Sequence, residues 1–215
     1  MRHLAIIADG NRRWTKQHNL PEGTGHVRGL EVIEHICEWA ISRDVLYLTM
    51  YCFSTENWSR SEDEVQRLTN LARWYFSDSA DWYIEHDIRV LFSGRRDRFP
   101  ADIIESMDVL SSKTECCKKL TLIICADYGG RDEICRAIAN GARTEEEITT
   151  MLCANAPEPD VILRTGGMHR LSNFLLWQSA YAELFFTDTL FPAIEDSELD
   201  EIYERAKYII TNHGK

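Results

Sequence analysis

Apolar residues recur along the chain in two alternating rhythms. Short unbroken runs read as strands buried on both faces: Leu4 to Ala8, Leu46 to Phe53, Ile88 to Ser93, Leu120 to Ala126, and the shorter Val161 to Leu163 and Leu184 to Phe186. Between them lie stretches with helical spacing. His26 to Arg43 places Val27, Leu30, Ile33, Ile36 and Ala40 on one face. Ser61-Glu62-Asp63-Glu64 has the pattern of a capping box and predicts one long helix running towards His86. Pro100 to Ser112, Arg131 to Arg143 and Glu195 to Thr211 complete the helical set. Strands that alternate with helices predict an α/β fold: a single domain over residues 1–215, with a largely parallel central sheet flanked by helices. No repeat, linker or low-complexity tract interrupts the pattern.

Charge sharpens this picture. The 215 residues carry 24 Lys+Arg against 35 Asp+Glu, a formal net charge of −11, which argues against nonspecific nucleic-acid binding. Yet arginines gather at Arg12/Arg13, Arg95/Arg96/Arg98 and Arg164 with Arg170. Concentrated arginines in an acidic protein suggest capture of a small anion. The 7 cysteines form no C-x-x-C pair, and several lie in apolar runs. They read as reduced, mostly buried thiols of a cytoplasmic protein rather than as a zinc site. The apolar run before Asp9 is too short for a signal peptide, and no stretch reaches the ~20 apolar residues of a membrane span. A peripheral membrane contact stays open.

The polar clusters fall just after the strands, where parallel sheets bind ligands. Asp9-Gly10-Asn11-Arg12-Arg13-Trp14 follows the first strand. Glycine and closely spaced arginines suit the grip of a phosphate. A carboxylate beside them would repel that phosphate unless a cation such as Mg²⁺ lies between. Ser54-Thr55-Glu56-Asn57-Trp58-Ser59-Arg60, Tyr128-Gly129-Gly130-Arg131 and Arg164-Thr165-Gly166-Gly167 follow later strands. Each alone also reads as a structural turn; their shared edge is what points to a site.

Several of these segments carry a family resemblance. HLAIIADGNRRW, FSTENWSR, DYGGRDEI and the block ILRTGGMHRLSNFLLWQSAYAELFFTDTLFP resemble the cis-prenyltransferases, the family of undecaprenyl diphosphate synthase, from His3 to about Pro192. The resemblance implies a homodimeric, Mg²⁺-dependent enzyme that joins isopentenyl diphosphate to an allylic diphosphate with a new Z double bond. It assigns Asp9 to the metal, and Gly10, Asn11, Arg12 and Arg13 to the allylic diphosphate. Arg164, Arg170 and Ser172, with Leu171 between them, match the grip on isopentenyl diphosphate. Trp14, His26, Ser54, Thr55, Glu56, Trp58 and Arg60 match positions lining the site. Asn57 matches a residue assigned to proton removal; an amide is a poor base, so water orientation or a diphosphate oxygen as acceptor is the better chemistry. Glu183 matches a second metal carboxylate, given across the dimer in several members. On a nearly apolar strand an unpaired buried carboxylate is costly, which supports a role for it. Trp14 and Trp58 also read as core packing, and His26 as a satisfied structural histidine.

The sequence departs from the family pattern at four places. Arg12 stands where a second glycine is usual, Glu22 where a diphosphate-binding arginine is common, and Met168 where Glu precedes His-Arg. The tail, Thr211 to Lys215, lacks an Arg-x-Gly segment, which puts a partner-completed site in doubt. In relatives the helix after Ser61 walls the tunnel for the growing chain. Here it carries Trp74, Tyr75, Phe76, Trp82 and Tyr83, and rings turned inward would halt elongation early, at roughly three to seven isoprene units. Two other readings remain: head-to-middle condensation of allylic diphosphates to a lavandulyl-type product, and a non-catalytic subunit of a heteromeric synthase.

Overall fold

A computed structural model describes residues 1–207. Six strands form one parallel sheet in the order β3-β4-β2-β1-β5-β6. They are β1 (His3–Ile7), β2 (Tyr47–Ser54), β3 (Ile88–Ser93), β4 (Leu120–Tyr128), β5 (Val161–Arg164) and β6 (Glu183–Phe186). The predicted strands are all present. Every residue of β1 is buried, as the centre of a parallel sheet covered on both faces requires. From β1 the chain builds outward first through β2 and later, on the other side, through β5. The order therefore reverses between β1 and β5, and ligands bind outside the carboxyl ends of strands at such a reversal.

The helices are α1 (Asn11–Gln17), α2 (Thr24–Ser42), α3 (Glu62–Asp78), α4 (Ala80–Glu85), α5 (Ala101–Lys113), α6 (Gly130–Ala139), α7 (Glu145–Met151) and α8 (Asp196–Ala206). Five differ from expectation. The segment after β1 is a helix, α1, rather than a loop. The long helix from Ser61 breaks at Ser79, which ends α3 and begins α4. Ser77 Oγ bonds back to the carbonyls of Arg73 and Trp74 (2.9 Å each), a competition with the backbone ladder that favours a break. The predicted capping box at Ser61 does not form, because the Glu64 carboxylate is drawn to Arg60 (2.7 Å) and Arg12 (3.4 Å). The predicted helix 131–143 stops at Ala139, and Gly141 follows in the left-handed region. Thr144 and Glu147 then form a true capping box that opens α7. The end of the predicted helix 195–211, and the tail to Lys215, extend beyond the described residues.

The main core joins β1–β5 to α2, α3, α5 and α8 on one face; Tyr51, Tyr128, Phe174 and Leu175 anchor the other. Of the seven cysteines, Cys37, Cys125 and Cys153 are buried, but Cys52, Cys116 and Cys135 are exposed. Among the described residues no helix is long and apolar enough to cross a membrane.

His3 titrates against the fold. Its ring lies between the Pro157 carbonyl (2.7 Å) and Thr49 Oγ1 (2.8 Å), and burial lowers its pKa from 6.5 to about 4. Between those values the unfolded chain takes up a proton that the folded chain refuses, so stability falls as pH drops through this window. Urea unfolding from pH 7 to pH 4 should show a loss on the order of 3 kcal/mol from this group, and His3→Gln should flatten the dependence by about one proton.

Candidate functional site

The site begins where β1 ends. Asp9 follows β1, and Arg164 is the last residue of the neighbouring β5. The Asp9 carboxylate accepts from Arg164 Nη2 (2.9 Å) and from Arg13 Nη2 (3.1 Å). The Arg164 side chain is only 6% exposed, so this contact satisfies a guanidinium that water cannot reach. Thr165 fixes the approach: its Oγ1 accepts the Asp9 N–H (3.0 Å) and lies 2.7 Å from the Asp9 carbonyl. Gly166, at φ 81°, leaves the space that Arg13 occupies; a Cβ there would collide with the Arg13 guanidinium. The left-handed backbone and the close approach both require glycine.

Arg164 also organises the loop beyond it. Its Nη1 donates to the Arg170 carbonyl (2.5 Å) and to Ser172 Oγ (2.7 Å). Arg170 itself is exposed, and its guanidinium reaches the Met168 sulfur (3.5 Å). Leu171 packs partly into the second core cluster. Arg164, Arg170, Leu171 and Ser172 are thus brought to one loop beside Asp9.

An open cavity of about 450 Å³ faces Asp9, lined by Gly10, Asn11, Arg12, Arg13, Lys16, His26 and Arg60. Four cationic side chains surround a single carboxylate. Helix α1 adds the N–H groups of its first turn, which have no intrahelical acceptor. Asn11 Nδ2 donates to the Ala8 carbonyl (3.2 Å), while its Oδ1 is buried without a partner among the described residues. Burial, then the nearby Arg60, lowers the His26 pKa to about 4 and keeps the ring neutral at physiological pH. Lys16 is a cation that sequence reasoning missed; its place one turn beyond Arg12 on α1 becomes visible only once that helix exists.

A second cavity shares Ala8, Asn11 and His26 with the first and runs inward between α2, α3 and the sheet. It measures about 110 Å³ and is lined by Leu30, Ile33, Phe53, Ala72, Tyr75 and Phe76 among others. Of the five α3–α4 rings, Tyr75 and Phe76 close this cavity. Trp74 is exposed, Trp82 stacks on His86, and Tyr83 lies in the core. The Tyr75 hydroxyl is pinned by Tyr83 (2.7 Å) and Glu34 (3.1 Å), the latter with its pKa raised by burial. Cys52 opens onto the same cavity.

Other expected residues stand apart. Trp14 stacks near His18 (4.4 Å) and lines neither cavity. Trp58 packs against Phe53 and Phe99, which favours its core reading. Ser54 donates its N–H to Asn57 Oδ1 (3.0 Å), so the Asn57 oxygen is already engaged as a cap. Thr55 and Glu56 sit on the same 3₁₀ turn, Thr55–Ser59, with Glu56 bonded to Asn173 (3.0 Å). Glu22 forms an ion pair with Arg67 of α3 (2.7 Å), so no cation takes its place at the phosphate cavity. Glu183 corrects the sequence argument: it is exposed, not buried, on the edge strand β6. It pairs with Val161, three residues or about 10 Å below Arg164 along the strands, so Asp9 does not meet it within one chain.

Among the described residues no group of three His, Cys, Asp or Glu forms a cation cage. A lone oxygen donor at a basic cavity nevertheless fits Mg²⁺, which keeps waters and binds through one or two carboxylates plus substrate phosphates.

The undecaprenyl diphosphate synthase family model matches residues 7–208. An isoprenyl transferase of Aquifex pyrophilus is 42% identical over 203 residues, covering 91% of this chain and 88% of the relative. One from Neisseria gonorrhoeae (strain ATCC 700825 / FA 1090) is 43% identical, covering 93% of this chain and 83% of its own. Among solved structures, lavandulyl diphosphate synthase from Lavandula x intermedia, in complex with dimethylallyl diphosphate, is similar with TM-score 0.92 and 27% identity, covering 100% of this chain and 98% of that one. A probable undecaprenyl diphosphate synthase from Campylobacter jejuni follows at TM-score 0.85 and 30% identity, covering 100% of this chain and 99% of that one.

The charge arrangement makes a prediction that needs no substrate. Without metal, Asp9 repels an anion and occupies Arg13 and Arg164. Asp9→Asn should therefore bind inorganic pyrophosphate in EDTA at least about fivefold more tightly than the unaltered protein, roughly 1 kcal/mol of relieved repulsion, by titration calorimetry. Weaker binding by the variant would contradict this electrostatic account.

Proposed function

Since the chain belongs to the undecaprenyl diphosphate synthase family and is a prenyltransferase, we propose that it condenses isopentenyl diphosphate with an allylic diphosphate to a short Z-prenyl diphosphate, using Mg²⁺. One observation carries the reading: a cation-lined cavity at Asp9 continues, through Ala8, Asn11 and His26, into an apolar cavity. That is the outline of an amphiphile with a diphosphate head and a hydrocarbon tail.

In this reading Arg12, Arg13, Lys16 and Arg60 stabilise the charge that grows on the allylic leaving group. Asp9 holds Mg²⁺, which when bound neutralises part of the same charge. Arg164, Arg170 and Ser172 hold the isopentenyl diphosphate. The allylic C–O bond breaks, and the terminal alkene carbon of isopentenyl diphosphate forms the new C–C bond with its π electrons. The resulting tertiary cation is quenched when the adjacent CH₂ gives a proton to an oxygen of the departing diphosphate and the new double bond forms. Asn57 cannot serve as the base, because its oxygen caps the 3₁₀ turn; its Nδ2 orients instead. Glu183, exposed on an edge strand beside exposed Leu184, suits a contribution to the metal of a second copy in a homodimer. The exposed Leu20, Val27 and Trp74 near the mouth suit a peripheral membrane contact.

Product length follows from the apolar cavity. Tyr75 and Phe76 line it and narrow it to about 110 Å³, which supports a shorter product than a cavity without those two rings would accept. The similarity to lavandulyl diphosphate synthase supports a second reading, head-to-middle condensation, and dimethylallyl diphosphate supplied alone would then give a condensed product.

With the purified chain, Mg²⁺, labelled isopentenyl diphosphate and a ladder of allylic primers, chromatography should show products of roughly three to seven units, lost in EDTA. Chains of about ten or more units, or full activity in EDTA, would overturn the proposal. Tyr75→Ala should lengthen the product by at least one unit, while Tyr75→Phe, which keeps the ring, should not.

A further inference from the structure

We propose that Asn173 is a positioning residue that sets the isopentenyl-diphosphate grip and the Asn57 turn in a single register. The inference rests on the prenyl-transfer reading above. Asn173 follows Ser172, and both residues have positive φ, 66° and 48°. Its side chain touches two other strand-end segments. Oδ1 accepts the Arg131 N–H in the first turn of α6 (2.9 Å), and Nδ2 donates to Glu56 Oε1 (3.0 Å) on the turn that carries Asn57. Its own carbonyl accepts the Gly130 N–H (2.7 Å). The loops after β2, β4 and β5 are thereby tied at one residue.

The neighbours are built around this tie. A Cβ on Gly129 would lie 2.7 Å from Asn173 Nδ2 and 2.7 Å from Thr55 Oγ1, so glycine is what lets the loops close. Burial works to raise the Glu56 pKa, but hydrogen bonds from its own backbone, Asn173, Ser54 and Thr55 outweigh it and hold the group ionised. One residue along, Ser172 is held through its carbonyl by the Tyr51 hydroxyl (3.2 Å) and through Oγ by Arg164 (2.7 Å). Asn173 itself does not line the cavity at Asp9. Its influence therefore falls on the isopentenyl half of the site.

The chemistry selects asparagine. A carboxylate can only accept and the Arg131 N–H can only donate, so the residue between them must offer one donor and one acceptor. Aspartate keeps the shape and the contact to Arg131, but sets two carboxylates against each other. Glutamine at position 56 restores a hydrogen bond with its direction reversed.

Steady-state kinetics of the full chain test this. Asn173→Asp should raise the KM for isopentenyl diphosphate about tenfold, the loss of one charge-assisted hydrogen bond. The allylic KM should stay within about twofold, since that cavity is not shared. Adding Glu56→Gln should recover most of the loss. Glu56→Ala breaks the same contact from its exposed end, so it reads the effect even if the aspartate variant fails to fold. An unchanged isopentenyl KM in the variants, equal rises in both KM values, or no recovery in the double variant would sink this inference alone. A wild-type protein that consumes neither diphosphate would sink the underlying reading, and this with it.

Discussion

A carboxylate suspended between two guanidiniums governs this molecule. Asp9 leaves β1 and Arg164 ends β5, and they meet because those strands are neighbours at the place where the sheet changes direction. The buried guanidinium needs the carboxylate, and the carboxylate tempers a cavity otherwise lined with positive charge. In the resting molecule Asp9 offsets part of that positive charge. An anion alone must compete with Asp9 for Arg13 and Arg164, whereas an anion arriving with a cation gives Asp9 a new partner and frees both arginines. These resting ion pairs are what the proposed use of a metal-bearing diphosphate rests on, and Thr165 and Gly166 hold the two loops at that distance.

Head and tail recognition are joined through few residues. Asn11 opens α1, reaches back to Ala8, and borders both cavities; His26, in the first turn of α2, also borders both. A neutral His26 keeps the passage between them free of a second charge. Deeper in, the floor is set by side chains that cannot swing away. Tyr75 is fixed at its hydroxyl by residues from α2 and α4, and α4 presents Tyr83 only because the helix breaks at Ser79.

Much of this was legible in the sequence because strand runs in a parallel sheet are nearly continuous and the polar clusters follow them directly. The strands, the sheet type and the Asp9–Arg13 and Arg164–Ser172 clusters could be read this way. What escaped depended on long-range competition for a side chain. Glu64 completes a capping box by pattern, yet Arg60 and Arg12 claim it, and Arg12 was read only as a phosphate ligand. The polar Asn-Arg-Arg-Trp stretch has no apolar periodicity, so helix α1 was invisible, and with it Lys16. Glu183 looked buried because its neighbours are apolar, but edge strands leave one side uncovered. Asn173 sat inside a quoted motif without a role, because its partners lie 42 and 117 positions away.

The central position of β1 has a further consequence for how the chain is made. Its five residues lie between β2 and β5, and the second of these neighbours begins only at Val161. At about 5–20 residues per second of synthesis, β1 waits on the order of 10–30 seconds before its other edge can be paired. During that interval a largely apolar ribbon stands open on one side, and the anion cradle at its tip lacks half its walls. Competence and closure arrive together once β5 is made, so a chain cut before Val161 has neither.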